Sequence, residues 1–158
     1  MDAIKIQRLS HKLYKAHIPV LPGLLYRILN WRYNSTLSPL TQIGEGTKLG
    51  YGGIGVVVHA KASIGRNVIL AQNVTIASKN GGAPVLEDWS YVGANSIILG
   101  GVKIGKNAYV GALSLVNKDV PEGAIVAGIP ARIIRMRTTE EISKHHQWVI
   151  KTGWNSFR

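Results

Sequence analysis

The chain has 158 residues, 46% of them hydrophobic, enough for one domain whose core needs neither disulfides nor metals. It contains no cysteine, which excludes a disulfide framework, thiolate metal sites and a cysteine nucleophile. Nineteen Lys and Arg against eight Asp and Glu leave a net charge of +11, which favours acidic partners: a phosphate-bearing small molecule, an anionic membrane surface or nucleic acid.

The opening stretch MDAIKIQRLSHKLYK carries no apolar leader-like run. No segment approaches the roughly 18 apolar residues of a membrane span. The expectation is a cytoplasmic protein, touching the inner membrane surface at most. Residues 3 to 16 read as a basic amphipathic helix with Ile6, Leu9 and Leu13 on one face. Pro19 and Pro22 interrupt it, and LLYRILNWRY (24–33) resumes helical spacing. Residues 1–40 are thus expected to form a helical cap over the open end of a repeat, as repeat folds require. A second role, peripheral membrane contact, is compatible with the first.

From Leu86 the chain divides into hexads: LEDWSY, VGANSI, ILGGVK, IGKNAY, VGALSL and VNKDVP. The first position is aliphatic throughout, the fifth is small or β-branched, and Gly93, Gly105 and Gly111 recur at the second. VHAKAS from Val58, IGRNVI from Ile64, LAQNVT from Leu70 and IGEGTK from Ile43 are further copies. A chain that turns a corner every six residues explains the pattern, with the first position inward, the fifth in the corner and Gly tolerating the turn. An amphipathic helix would lose about 1 kcal/mol at each glycine. The reading is a parallel β-helix over 41–135. Its phase slips between Leu49 and Val58, and again between Ile76 and Leu86, which implies an extruded loop at 78–84. The repeat is expected to end at Val120-Pro121. Thr138-Thr-Glu-Glu141 has capping-box spacing, so 136–158 should hold a C-terminal helix from about residue 139 and a tail.

These hexads resemble the hexapeptide-repeat acyltransferases, on YGGIGVVVHAKASIG (51–65), QNVTI (72–76), the hexads 86–121 and KDVPEGAIVAGIPARII (118–134). The similar branch contains serine acetyltransferases and O-acetyltransferases of bacterial surface-polysaccharide pathways. The resemblance implies an all-β core, a left-handed parallel β-helix with an N-terminal helical segment and a short C-terminal helix. It also implies three hexads per coil, a homotrimer, and acetyl-CoA as acetyl donor. The family's donor-binding positions fall here on Gly93, Ala94, Gly111, Ala112, Asn117, Lys118, Arg132 and Arg135, the cations facing the CoA phosphates.

Acetyl transfer to a hydroxyl needs a base, and His59 is the one histidine of the repeat. It holds a second hexad position where its neighbours carry Gly65 and Ala71, and with 18 residues per coil it stacks beneath Ala77, at the base of the loop. Tyr51, Lys79 and Asn80 are the expected acceptor-side residues. The family's Asp-His pair falls at Tyr51-Gly52 and its loop histidine at Ala83, a departure that weighs against L-serine. The expected activity is therefore O-acetylation of a sugar hydroxyl. A serine O-acetyltransferase with a divergent site and a catalytically inactive CoA-binding trimer stand as alternatives. No metal is expected, because the repeat's single histidine cannot supply stacked ligands. No nucleic acid is expected, because the basic residues are scattered.

Overall fold

The computed structural model describes residues 2–152; the end of the expected C-terminal tail, 153–158, lies outside the described residues. Helix α1 (Ala3–Lys15) starts at Asp2, whose carboxylate accepts from the Lys5 amide, and α2 (Leu21–Tyr33) starts with Pro22 in its first turn. The first coil holds β1 (Thr36–Leu37), β2 (Gln42–Ile43) and β3 (Lys48–Leu49). The second holds β4 (Val57–Val58), β5 (Ser63–Ile64) and β6 (Ile69–Leu70), and the third β7 (Thr75–Ala77), β8 (Val85–Leu86) and β9 (Tyr91–Val92). The fourth holds β10 (Ile97–Leu99), β11 (Lys103–Ile104) and β12 (Tyr109–Val110). A fifth is opened by β13 (Leu115–Val116) and closed by β14 (Ala124–Gly128), before β15 (Ala131–Met136) and α3 (Thr139–Thr152).

Equivalent strands of successive coils pair in parallel, which makes a prism with three faces. The first face is β1-β4-β7-β10-β13, the second β2-β5-β8-β11, and the third β3-β6-β9-β12-β14 with β15 added. The fold is a left-handed parallel β-helix. Its core is the first hexad position: Val58, Ile64, Leu70, Leu86, Val92, Ile98, Ile104, Val110 and Val116 are at most 3% exposed. Each contributes about 1.5–3 kcal/mol by leaving water. The fifth positions, Ser90, Ser96, Val102, Ala108, Ser114 and Val120, are buried in the corners. Buried Ser96 and Ser114 both donate to the Gly111 carbonyl, so neither hydroxyl is orphaned.

Three expectations are corrected. The second-position glycine does not serve the turn: a Cβ at Gly93 would lie 2.5 Å from the Ala112 amide nitrogen, so glycine is needed for close coil-to-coil approach. The left-handed corner conformation belongs to the fourth position, at Asn95 (φ 58), Asn107 (φ 59) and Leu113 (φ 59). The stack also runs past Pro121, because β14 pairs in parallel with β12 and then turns through Gly128–Ala131 into antiparallel β15. Finally, α1 buries Ala3, Ile4, Ile6, Gln7 and Ser10, while Leu9 is 44% exposed. Gln7 decides that rotation, since its amide donates to the carbonyls of Ser38 (3.1 Å) and Thr41 (3.0 Å) at the open first coil. The α1–α2 pair therefore caps the β-helix.

At the other end, α3 is opened by a reciprocal capping box: Glu141 N donates to Thr138 Oγ1 and Thr138 N to a Glu141 carboxylate oxygen. The helix folds back over the third face. Val149 is buried there, its carbonyl accepts from Lys48 Nζ, and His146 stacks on Trp89 at 4.0 Å.

Candidate active site

The expected site residues sort onto the edges of the prism. His59 lies between β4 and β5, the extruded loop between β7 and β8, and Asn117-Lys118 directly after β13, so all three share the edge joining the first face to the second. Tyr51 lies between β3 and β4, Gly93-Ala94 between β9 and β10, and Gly111-Ala112 between β12 and β13, on the edge joining the third face to the first. One whole face, the first, separates the two groups within a single chain.

On the first of these edges the register continues from Val58↔Ile76 to the next pair, so position 59 lies beneath Ala77. The His59 amide donates to the Ile76 carbonyl (2.9 Å), and its own carbonyl accepts from the Ala62 amide (3.0 Å). The ring is half-buried, and Nδ1 accepts from the Lys61 amide at 3.2 Å. A neutral imidazole that accepts at Nδ1 carries its proton on Nε2. In this rotamer Nε2 is therefore a donor. To take a proton at Nε2 the ring must give up Lys61 and shift its tautomer.

The loop is a hairpin in which the amides of Lys79 and Gly82 each donate to the other's carbonyl at 3.0 Å. Asn80 (φ 51) and Gly81 (φ 80) form the two-residue turn that such a hairpin favours. Lys79 and Asn80 are exposed, and the hairpin packs against Gly100 and Gly101 of the next coil. Further along the edge, Lys118 and Arg132 open on a hollow of about 340 Å³ with Val116, Val126 and Ile133 among its walls. Arg135 does not join them. Its guanidinium is bidentate to Glu141 (2.6 and 2.9 Å), which holds that carboxyl down at about 2. The carboxylate already claims the fork geometry a phosphate would need.

On the other edge the amides of Gly93 and Gly111 donate to Val110 and Val126 of the next coil. Ala112 is exposed and Ala94 half-buried, so these corners offer a small-residue surface more than free backbone donors. Tyr51 is 57% exposed with φ 49, in the kinked turn Gly50–Gly53 that accounts for the first phase slip.

The third face carries an aromatic wall that the sequence reading passed over. Tyr91 and Tyr109 stack at 4.4 Å, His145 approaches Tyr91 edge-on at 6.3 Å, and the Arg137 guanidinium lies 5.9 Å from the Tyr109 ring. Burial first, then Tyr109 and then Tyr51, push the Tyr91 phenol up to about 12. Burial first, then Arg137 and His146, pull His145 down to about 4. A signal for the wall existed: Tyr91 and Tyr109 both end their hexads, three hexads apart.

No protein-family model matches the chain. It is 35% identical over 137 residues to the serine acetyltransferase of Synechococcus elongatus (strain ATCC 33912 / PCC 7942 / FACHB-805), a match covering 84% of this chain and 56% of the relative. Its fold superposes with a TM-score of 0.77 on a Neisseria gonorrhoeae serine acetyltransferase in complex with serine, at 33% identity over 82% of this chain and 54% of that one. A serine acetyltransferase in complex with CoA gives a TM-score of 0.77 at 32% identity, over 84% of this chain and 55% of that one. The chain spans about half the length of these relatives. It is a hexapeptide-repeat β-helix similar to serine acetyltransferases in sequence and in fold over more than four-fifths of its length.

Proposed function

We propose that the chain is an acetyl-CoA-dependent O-acetyltransferase whose acceptor is the hydroxyl of L-serine. The observation that carries this reading is the 35% identity over 137 residues to a serine acetyltransferase. The solved relatives in complex with serine and with CoA support it. The expected sugar acceptor has no support among these relatives, and the serine alternative displaces it.

In the reaction the acceptor oxygen attacks the thioester carbonyl while a base takes its proton. The carbon–sulfur bond then breaks, and CoA leaves as a thiol after protonation. His59 is the proposed base, acting once its ring has turned from Lys61. Lys118 and Arg132 would face the CoA phosphates, with Asn117 beside them. Tyr51, Lys79 and Asn80 remain the proposed acceptor-side residues, and Gly93, Ala94, Gly111 and Ala112 the surface along which the pantetheine arm lies. Arg135 drops out of the donor set because Glu141 holds it. Since the two groups occupy different edges of one prism, a shared site would be built from two copies, as a homotrimer provides.

One observation favours a second reading, a catalytically silent CoA-binding protein. The positions of the family's Asp-His pair and loop histidine are Tyr51-Gly52 and Ala83, and His59 is engaged as a turn residue. Thiol release from acetyl-CoA separates the two, measured with L-serine, free sugars and nucleotide sugars. Release dependent on L-serine is the expected result. Release with a sugar alone restores the sugar acceptor, and CoA binding without release under any acceptor selects the silent protein.

A further inference from the structure

The capping hairpin has a second face that the β-helix does not use. Leu25, Leu29 and Tyr33 of α2 turn towards the core, while Leu21 (45% exposed), Leu24 (51%), Ile28 and Trp31 (85%) follow the helical period along another side. The same period puts Arg27 on one flank of this stripe and Arg32 on the other, both exposed. The stripe continues into the α1–α2 connection, where Val20 is 81% exposed at φ 70, a backbone region strained for a β-branched residue. Beside it Tyr14, Lys15 and Ile18 border an open hollow of about 610 Å³. Residues 2–33 carry Lys5, Arg8, Lys12, Lys15, Arg27 and Arg32 against Asp2 alone.

We propose that this face docks on the surface of an anionic lipid bilayer. Apolar side chains headed by an exposed tryptophan, flanked by arginines and lysines, match a headgroup boundary: the apolar groups enter the acyl edge while the cations meet lipid phosphates. Among the described residues no helix is long and apolar enough to cross a membrane, so the hairpin lies on the surface. A two-fold partner copy fits the face less well. A two-fold pairing of the stripe would bring Arg27 and Arg32 towards their own copies, with no carboxylate in α2 to offset them. The proposal is independent of the acetyl acceptor.

The test is co-sedimentation of the full chain with vesicles of equimolar phosphatidylglycerol and phosphatidylcholine, and with phosphatidylcholine alone. Binding to the anionic vesicles is expected, with Trp31→Ser and the pair Arg27→Glu, Arg32→Glu each weakening partition about tenfold. Trp31 and both arginines are exposed, so an unchanged unfolding midpoint verifies the fold of each variant. Arg66→Glu, an exposed change on the β-helix, should leave partition within about twofold. The proposal fails if the chain ignores anionic vesicles, or if Arg66→Glu weakens binding as much as the hairpin pair, which would mark unspecific adsorption of a basic protein. It also fails if Trp31→Ser dissociates an oligomer in sedimentation while vesicle binding is unaffected, which would assign the face to a second copy.

Discussion

Tyr91 and Tyr109 stack with ring centroids 4.4 Å apart and planes within 8°, one coil above the other on the third face. The parallel register of β9 and β12 places the two rings directly in line, and α3 sets His145 edge-on against Tyr91. The pair records both the repeat that builds the prism and the helix that closes one side of it.

Docking of α3 is pH-dependent through that contact. His145 is held at about 4, below its ordinary 6.5, by burial first and then by Arg137 and His146; Tyr91 packs against it from β9. Between pH 6.5 and 4 the undocked helix takes up a proton that the docked one refuses. Stability is therefore complete above 6.5 and lost as pH falls through that window, by about 1–2 kcal/mol after allowance for partial exposure. Hydrogen exchange of the α3 amides at pH 7 and pH 5 measures this, and His145→Leu should flatten the dependence.

One pair of substitutions separates the structural role of His59 from its proposed catalytic one. Asparagine can accept from the Lys61 amide as His59 Nδ1 does, but it cannot act as a base. If His59 is the base, His59→Asn and His59→Ala both lose about 10²–10⁴-fold in thiol release. His59→Asn alone should keep the wild-type unfolding midpoint. Wild-type turnover in His59→Asn would remove the residue from the mechanism.

The cations at the top of the prism should not be equivalent. Lys118→Ala and Arg132→Ala should each weaken CoA binding about tenfold, since both open on the same hollow. Arg135→Ala should leave CoA affinity unchanged and loosen the first turn of α3, because its partner is Glu141. Titration calorimetry with CoA, beside circular dichroism of the three variants, checks both halves of the expectation.

Two glycines should respond with opposite signs. Gly93→Ala drives a methyl to 2.5 Å from the Ala112 nitrogen and 2.8 Å from its Cα, so about 1–3 kcal/mol of stability should be lost. Gly23, in α2, has nothing within 4 Å of an added Cβ, and Gly23→Ala should stabilise by about 0.5–1 kcal/mol. Urea unfolding of the two variants reads both.

Much of the β-helix was legible in the chain because its packing repeats. Every first-position aliphatic from Leu86 to Val116 faces the same core, and one stacking rule serves all of them. The position of His59 beneath Ala77 followed from that rule together with the family's coil length. The face that α1 buries was misread, because Gln7 is polar and nothing in its local spacing reveals two waiting carbonyls at Ser38 and Thr41. The pairing of Arg135 was hidden in the same way. As a basic residue after the repeat it looks free for a phosphate, until α3 brings Glu141 to it.

By itself the sequence determined the repeating unit, the inward first positions, the small fifth positions, the extruded loop and the start of α3. These depend on interactions within a hexad or a single turn, so residue order carries them. Tertiary structure alone decided which side of α1 and α2 meets the prism and which is left outward with Trp31. It also decided that α3 lays His145 against Tyr91 of the aromatic wall. Each of these is a choice among partners far apart in the chain, settled by which polar groups need satisfying and which apolar surface is still uncovered once the coils have stacked.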